Sequence, residues 1–382
     1  MMVVIAGFSG AGLEVTAASD ECSLSQVETR PEAAIEPCSK IIADKATSPA
    51  DRGYALYIRG RAYHNTKCFD LAGRDYDAAI PLTPTNEELF VSRANIAFRA
   101  KRYQEGVSFL QDALALNPSN GHALRTLGAL NGDMGNLDEA ERYYAMALTS
   151  DPNDAYALFF RSKNNAKRRQ FDEALKDADA LVAIAPDAIN RQGFLDGRGD
   201  HVDFHILALK NRADIYDALG RPDRAEQDLN AAVTYSRSPA SLSARGVFLA
   251  GKPGREKEAL ADLGEAIALG SVDTDTFYAK GVLHAQLNQM DEALAVFDRV
   301  LAIYPDFAGG LHMRARIHRE LDQTELAVTD MAHAVTISRS MLEATMPALR
   351  NAGYWRSDDD PSALTPAFED AIRACMIDKR CN

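Results

Sequence analysis

The chain is poor in cysteine and tryptophan, with five Cys and one Trp among 382 residues. No two cysteines are spaced C-x-x-C, so thioredoxin-type redox chemistry and thiolate zinc sites lack their usual ligands. No apolar run reaches eighteen residues, so nothing in the sequence reads as a membrane-spanning helix. Positive charge is in deficit: 42 Lys and Arg stand against 55 Asp and Glu, a net charge of −13. That balance argues against a general nucleic-acid binder, which needs a basic surface. There is no G-x-S-x-G, no H-E-x-x-H and no kinase motif set. The carboxylates are dispersed and form no acid–base pair. Apolar content is not lacking: 46% hydrophobic with 25% charged residues specifies a folded chain rather than a disordered one. The expectation is a protein without catalytic residues, cofactor or metal.

Four short motifs fail on their context. Gly7-x-x-Gly10-x-Gly12 follows an apolar stretch, but no second strand comes after it to complete a dinucleotide-binding unit. Gly246-x-x-x-x-Gly251-Lys252 resembles a phosphate loop, yet Pro253 stands where Ser or Thr would hold magnesium. His201-x-Asp203-x-His205, near Asp196 and Asp200, could place two imidazoles on one helix face, but no third ligand is fixed, so a solvated loop is expected. The tripeptide Arg198-Gly199-Asp200 is too short to carry information.

Both ends of the chain point to export. Met1–Leu13 is mostly small and apolar, and Val15 and Ala17 suit cleavage after Ala17, so residues 1–17 are expected to be a signal peptide despite the absence of Lys or Arg there. The cysteines fall as Cys22 and Cys38 near one end and Cys375 and Cys381 at the other, with Cys68 alone. The economical reading is two local disulfides in an oxidising compartment, hence a periplasmic or secreted protein. The alternative is a cytoplasmic chain with five unpaired thiols.

The middle of the chain is periodic. Ala72, Gly106, Ala140, Ala174, Ala225, Ala259, Ala293 and Ala327 are spaced by 34 residues, except for one interval of 51. A second small register lies twelve residues upstream, or thirteen in one case: Gly60, Ala94, Gly128, Ser162, Ala213, Gly246, Gly281 and Ala315. Each unit splits into two amphipathic halves. In the third, Leu124, Leu127 and Leu130 mark one helix, Gly135-Asn136 turns the chain, and Asp138-Glu139 starts a second with favourable charge at its N-terminus. Prolines 84, 118, 152, 186 and 305 recur at unit ends, where a helix must stop. Small residues are required wherever paired helices cross closely. The fold class expected is all-α: a right-handed helical-repeat solenoid of about eight helix–turn–helix units with terminal capping helices.

A 34-residue helix–turn–helix with this pattern resembles the tetratricopeptide repeat, and the N-terminal cap with its cysteines resembles secreted bacterial members of that family. The family's usual aromatic at the fourth position is Leu56, Phe90, Leu124 and Leu158 in the first four units. The division that follows is 18–52, an N-terminal cap with a partial repeat; 53–188, repeats one to four; 189–205, an insertion; 206–341, repeats five to eight; and 342–382, a C-terminal cap. The resemblance implies a noncatalytic scaffold that binds a protein or peptide partner along a concave face lined by first helices. Groove positions of the first four repeats are Tyr54, Tyr57, Arg61, His64, Asn95, Phe98, Arg99, His122, Arg125, Tyr156, Phe159, Lys163 and Lys167. With Glu88 and Asp133, they give five positive side chains against two negative in an acidic protein. A partner with acidic groups or a C-terminal carboxylate is therefore expected. The family's carboxylate clamp needs Lys and Asn at set positions where Tyr57 and Arg61 stand, so it is not carried over. Leu349–Trp355 resembles the start of a peptidoglycan-binding module, which supplies an alternative role as a cell-envelope accessory protein. The Asp-Gly turn usual after it is replaced by Asp358-Asp359-Asp360-Pro361.

Overall fold

The computed structural model describes residues 20–190, 203–355 and 366–378, and among these residues every regular element is a helix. The chain divides into two compact units, before and after the Asn211–Arg212 bond. In the first unit, α1 (Leu24–Thr29) and α2 (Pro31–Ala43) precede four helical hairpins: α3 (Pro49–Asn65) with α4 (Phe69–Ala79), α5 (Glu87–Arg99) with α6 (Tyr103–Leu116), α7 (Gly121–Asp133) with α8 (Leu137–Ser150), and α9 (Ala155–Lys167) with α10 (Phe171–Ala183). The short α11 (Pro186–Asn190) follows. Then come α12 (Phe204–Ala218) with α13 (Pro222–Tyr235), α14 (Pro239–Ala250) with α15 (Glu256–Ala268), α16 (Thr274–Gln286) with α17 (Met290–Ile303), and α18 (Ala308–Glu320) with α19 (Thr324–Ile337). The chain ends in α20 (Arg339–Asn351) and α21 (Pro366–Ile377).

Each hairpin turns through one residue in the left-handed region. These are Lys67, Lys101, Gly135 and Arg169 in the first unit, and Gly220, Gly254, Asn288 and Asp322 in the second. At most of these turns the next backbone N–H donates five residues back, as from Cys68 to the Tyr63 carbonyl at 2.8 Å and from Arg102 to the Ala97 carbonyl at 2.9 Å. This closes the first helix by satisfying carbonyls its own ladder leaves open.

The two helices of a hairpin are joined by residues sixteen apart. Gly60 sits under Tyr76, Gly128 under Tyr144 and Gly281 under Phe297, and a Cβ added to any of these glycines would lie 2.4–2.6 Å from a ring carbon. Gly246 meets Leu263 the same way, seventeen residues on because of the extra turn residue. Where the first partner is larger, the second is smaller than an aromatic: Ala94 with Leu110, Ser162 with Ala178, Ala213 with Leu229 and Ala315 with Met331, all buried. Volume is thus exchanged across the pair at close packing.

The preceding residue of the same register carries a charge pair that the sequence reading missed. Arg59 grips Asp75 with two hydrogen bonds of 2.8 Å. Arg161 grips Asp177 at 2.7 and 2.6 Å. In the second unit Arg212 holds Asp228, Arg245 holds Asp262, and Arg314 holds Asp330, all bidentate. The five aspartates are buried, so each of these five hairpins is stapled by a forked, charge-assisted contact at its edge. The second hairpin has Phe109 at the acceptor position; there Arg93 lies 5.0 Å from the Phe109 ring and takes Asp77 of the preceding hairpin at 2.6 Å.

At the start of the first unit, Cys22, in the segment before α1, and Cys38, on α2, have their Cα atoms 5.0 Å apart. At the end of the second, Leu349, Phe368 and Ile372 join the apolar cluster of α19, and Trp355 meets Phe368 edge-on at 5.0 Å. Residues 1–17, most of the insertion with Asp196, Asp200 and His201, and Cys381 lie outside the described residues.

Candidate peptide-binding face of the first unit

First helices α3, α5, α7 and α9 carry the thirteen expected groove residues. Two of them are not available as an open surface. Tyr57 is 3% exposed and packs against Tyr76 at 6.3 Å and Tyr54 at 6.4 Å. Phe159 is 7% exposed and is covered edge-on by Phe204, 5.5 Å away, at the start of α12. Position five of a repeat therefore points into the packing between neighbours at these two sites. A third, Arg125, is already neutralised: it donates to Asp154 at 2.8 Å and lies 5.0 Å from the Tyr156 ring. Asp154 is itself fixed as the cap of α9, accepting from the Ala157 backbone N–H.

The remaining residues form two neighbouring groups. One is cationic. Arg99 is exposed and stacks 4.0 Å from the Phe69 ring, which also contacts His64 edge-on at 5.5 Å. Arg61 lies beside the Tyr57 hydroxyl. Neither Arg61 nor Arg99 forms an ion pair among the described residues. His64 is the centre of the group: burial pushes its imidazole down to about 4, and the charges of Arg99, Arg61 and His122 add to that effect. Two carboxylates act on the group: the charge of Glu28 is felt by Arg61, and Glu88 is held by hydrogen bonds. Glu88 accepts from Asn120 at 2.9 Å and faces His122 Nδ1 at 3.4 Å. Those hydrogen bonds, His122 first, pull Glu88 down to about 2. Tyr54 and Asn95 are half-buried on the same helices.

The other group is a cleft of about 190 Å³ formed by α5, α7, α8 and α9. Phe98, Tyr144 and Phe160 give it aromatic sides, and Ala129 and Gly132 leave it space. Lys163, Lys167 and Asp133 also line it and are exposed, which puts them at its mouth. The cleft thus joins Phe98, Lys163 and Lys167 of the expected set to Tyr144, Phe160 and Asn164, which sequence reasoning did not single out. The available signal was the pair of small residues at groove positions 129 and 132, which exposes a ring from the second helix behind them.

Among the described residues no group of three or more His, Cys, Asp or Glu could hold a metal. No described helix is long and apolar enough to cross a membrane.

Three models described as tetratricopeptide repeat match the chain, over residues 97–159, 208–239 and 250–306. The chain is a tetratricopeptide repeat protein. A tetratricopeptide repeat protein of known structure from Parabacteroides merdae superposes with a TM-score of 0.54 at 16% identity, covering 69% of this chain and 97% of that one. The DnaJ homolog subfamily C member 7 homolog of Schizosaccharomyces pombe is 24% identical over 203 residues, 49% of this chain and 39% of that protein. Heat shock protein STI1 of Saccharomyces cerevisiae is 23% identical over 319 residues, 74% of this chain and 54% of that protein. The chain thus spans about two fifths to one half of these relatives' lengths. Tetratricopeptide repeat proteins are generally noncatalytic scaffolds that bind protein partners.

Proposed function

We propose that this tetratricopeptide repeat protein is a noncatalytic scaffold that holds an acidic segment or the C-terminal carboxylate of a partner protein against α3, α5 and α7. The observation that carries the reading is the gathering of Arg61, Arg99 and His122 around His64, with Arg99 stacked on Phe69 beside it, while Glu88 is already hydrogen-bonded by Asn120. An arginine fork without a protein carboxylate is a ready partner for a ligand carboxylate, and Phe69 holds the Arg99 fork in place. The test is affinity capture from the native host by wild type and by Arg99→Glu/Lys167→Glu, two exposed positions. The charge-reversed protein is expected to melt like wild type and lose the captured partner. Retained capture would sink the reading.

Export to an oxidising compartment is part of the same proposal, with Cys22 joined to Cys38 and Cys375 to Cys381. Support comes from the closeness of Cys22 and Cys38 and from the exposed, free Cys68. Alkylation of unreduced protein followed by mass spectrometry is expected to label Cys68 alone; labelling of all five cysteines would place the protein in the cytoplasm.

A further inference from the structure

We infer that Lys280 and Arg299 of the second unit form a docking point for an acidic side chain of a partner protein, separate from the face of the first unit. Three observations carry it. First, the charge staples fail at one place in their register. Lys280 on α16 stands where Arg245 and Arg314 stand in the hairpins before and after it. Those arginines grip Asp262 and Asp330 of their own hairpins, and Arg314 also takes Asp298 of the preceding hairpin at 2.7 Å. Neither carboxylate place around Lys280 is acidic: Val296 stands in its own hairpin and Gly264 in the preceding one. A Cβ on Gly264 would meet only the Lys280 Nζ, at 3.5 Å, with open space around it. Second, no neighbouring carboxylate makes up the loss. Asp262 is taken by Arg245, Glu265 by Arg237 and Asp298 by Arg314. Lys280 and Arg299 form no ion pair among the described residues. Burial, and then the charge of Arg299, pull the Lys280 amine below its ordinary value. A half-buried cation without a counter-charge is costly and rewards an anion that reaches it. The site is open to one: Lys280 is half-buried but its Nζ is not enclosed, and Arg299 is exposed, its guanidinium 5.6 Å from the Phe277 ring. Third, the surroundings suit a polypeptide better than a free anion. Ile303 lies one helical turn from Arg299 on α17 and is 42% exposed; Leu269 and Ile337 hold the same place in the adjacent hairpins at 52% and 38%. An occupant with apolar side chains beside its carboxylate covers this row and completes the charge.

The experiment is zero-length cross-linking of the full chain with a water-soluble carbodiimide in a fresh extract of the native host. The reagent activates a carboxylate lying against the amine; Nζ attacks the activated carbonyl carbon, an amide forms, and the reagent leaves as its urea. Mass spectrometry of the digest is expected to show Lys280 joined to an Asp or Glu of another protein. Gly264→Asp supplies a carboxylate within the chain, so it should lose that link and give an internal one between Lys280 and the introduced aspartate. The protein identified by the link should co-purify with wild type and with Lys280→Arg, which keeps the charge without the amine, and about ten-fold less with Gly264→Asp, the loss of one charge-assisted contact. Lys280 recovered unlinked from wild type would overturn the inference, whether or not the internal link forms in Gly264→Asp. A link to a second copy of this chain would overturn it in favour of self-association. Co-purification unchanged by Gly264→Asp would overturn it as well, since the link would then mark proximity without recognition. None of these outcomes bears on the first unit, whose test rests on Arg99 and Lys167.

Discussion

Gly128 lies directly beneath the ring of Tyr144: a Cβ at that position would stand 2.4 Å from Cε1 and 2.7 Å from Cδ1. The contact joins the two helices of the third hairpin, and the ring behind it also faces the cleft. Gly128→Ala is expected to cost about 1–3 kcal/mol by overpacking, and Gly128→Leu at least as much. Tyr144→Leu should recover part of the loss in the alanine background, since Ala94 already sits with Leu110 in the second hairpin. A double-mutant cycle from urea melts measures that coupling; strictly additive effects would mean the two residues do not share the space.

The Arg161–Asp177 staple is buried on its aspartate side only, with about a fifth of the arginine side chain exposed. Asp177→Ala should therefore cost about 2–3 kcal/mol, less than the ~3–5 kcal/mol for breaking a fully buried pair. Replacing both partners as Arg161→Leu/Asp177→Tyr copies Leu127 and Tyr143, which hold the same positions in the third hairpin. That double variant should be more stable than Asp177→Ala, because the guanidinium, which Asp177→Ala leaves with only the distant Glu141 at 3.9 Å, is removed together with its partner. Thermal denaturation of the two side by side decides it.

Lys101 takes a φ of 58° where Gly135 takes 82° at the same position of the next hairpin. A left-handed backbone costs a lysine more than a glycine. Lys101→Gly is expected to stabilise the protein by about 0.5–1 kcal/mol, net of the glycine's greater unfolded-state entropy. Gly135→Ala should destabilise it by a similar amount. Chemical denaturation of both variants gives the two signs independently.

His64 sets an acid limit. Its folded-state value of about 4 lies below the ordinary 6.5, so on acidification the unfolded chain binds this proton first. The stability held by neutral His64 is complete above about pH 6.5 and is lost as pH falls towards 4. Glu88, pulled from 4.5 to about 2, acts only in the window below. Melting temperatures between pH 7 and 5 should therefore fall more steeply for wild type than for His64→Gln. Parallel slopes would show that His64 is not held neutral by burial beside Arg61, Arg99 and His122.

The repeat was legible because its main requirement, small residues where helices cross, survives in sequence as a bare interval. The charge staples were equally periodic, Arg and Asp sixteen apart, but that spacing corresponds to no face of a single helix and acquires meaning only once the chain folds back on itself. Tyr57 and Phe159 were misplaced for a related reason. Phe159 is covered by Phe204, which lies beyond the insertion and has no fixed register with α9 in the sequence. The cationic group was readable from groove positions, whereas the neutralisation of Arg125 by Asp154 was not, because Asp154 reads first as a helix cap. Asn164 escaped notice because a buried asparagine reveals its unused oxygen only after its partners are known.

The staples also bear on how such a chain can lengthen. In the first and fourth hairpins the arginine finds its carboxylate within its own hairpin, so a gene duplication that copies one of these cassettes copies a charge-balanced module ready to stack. The second splits its pairing: Arg93 holds Asp77 of the hairpin before it and Glu105 of its own α6, so a transplanted copy would keep one counter-ion and lose the other. Growth by tandem copying is therefore open to all three cassettes, with one ion pair forfeited only in the second.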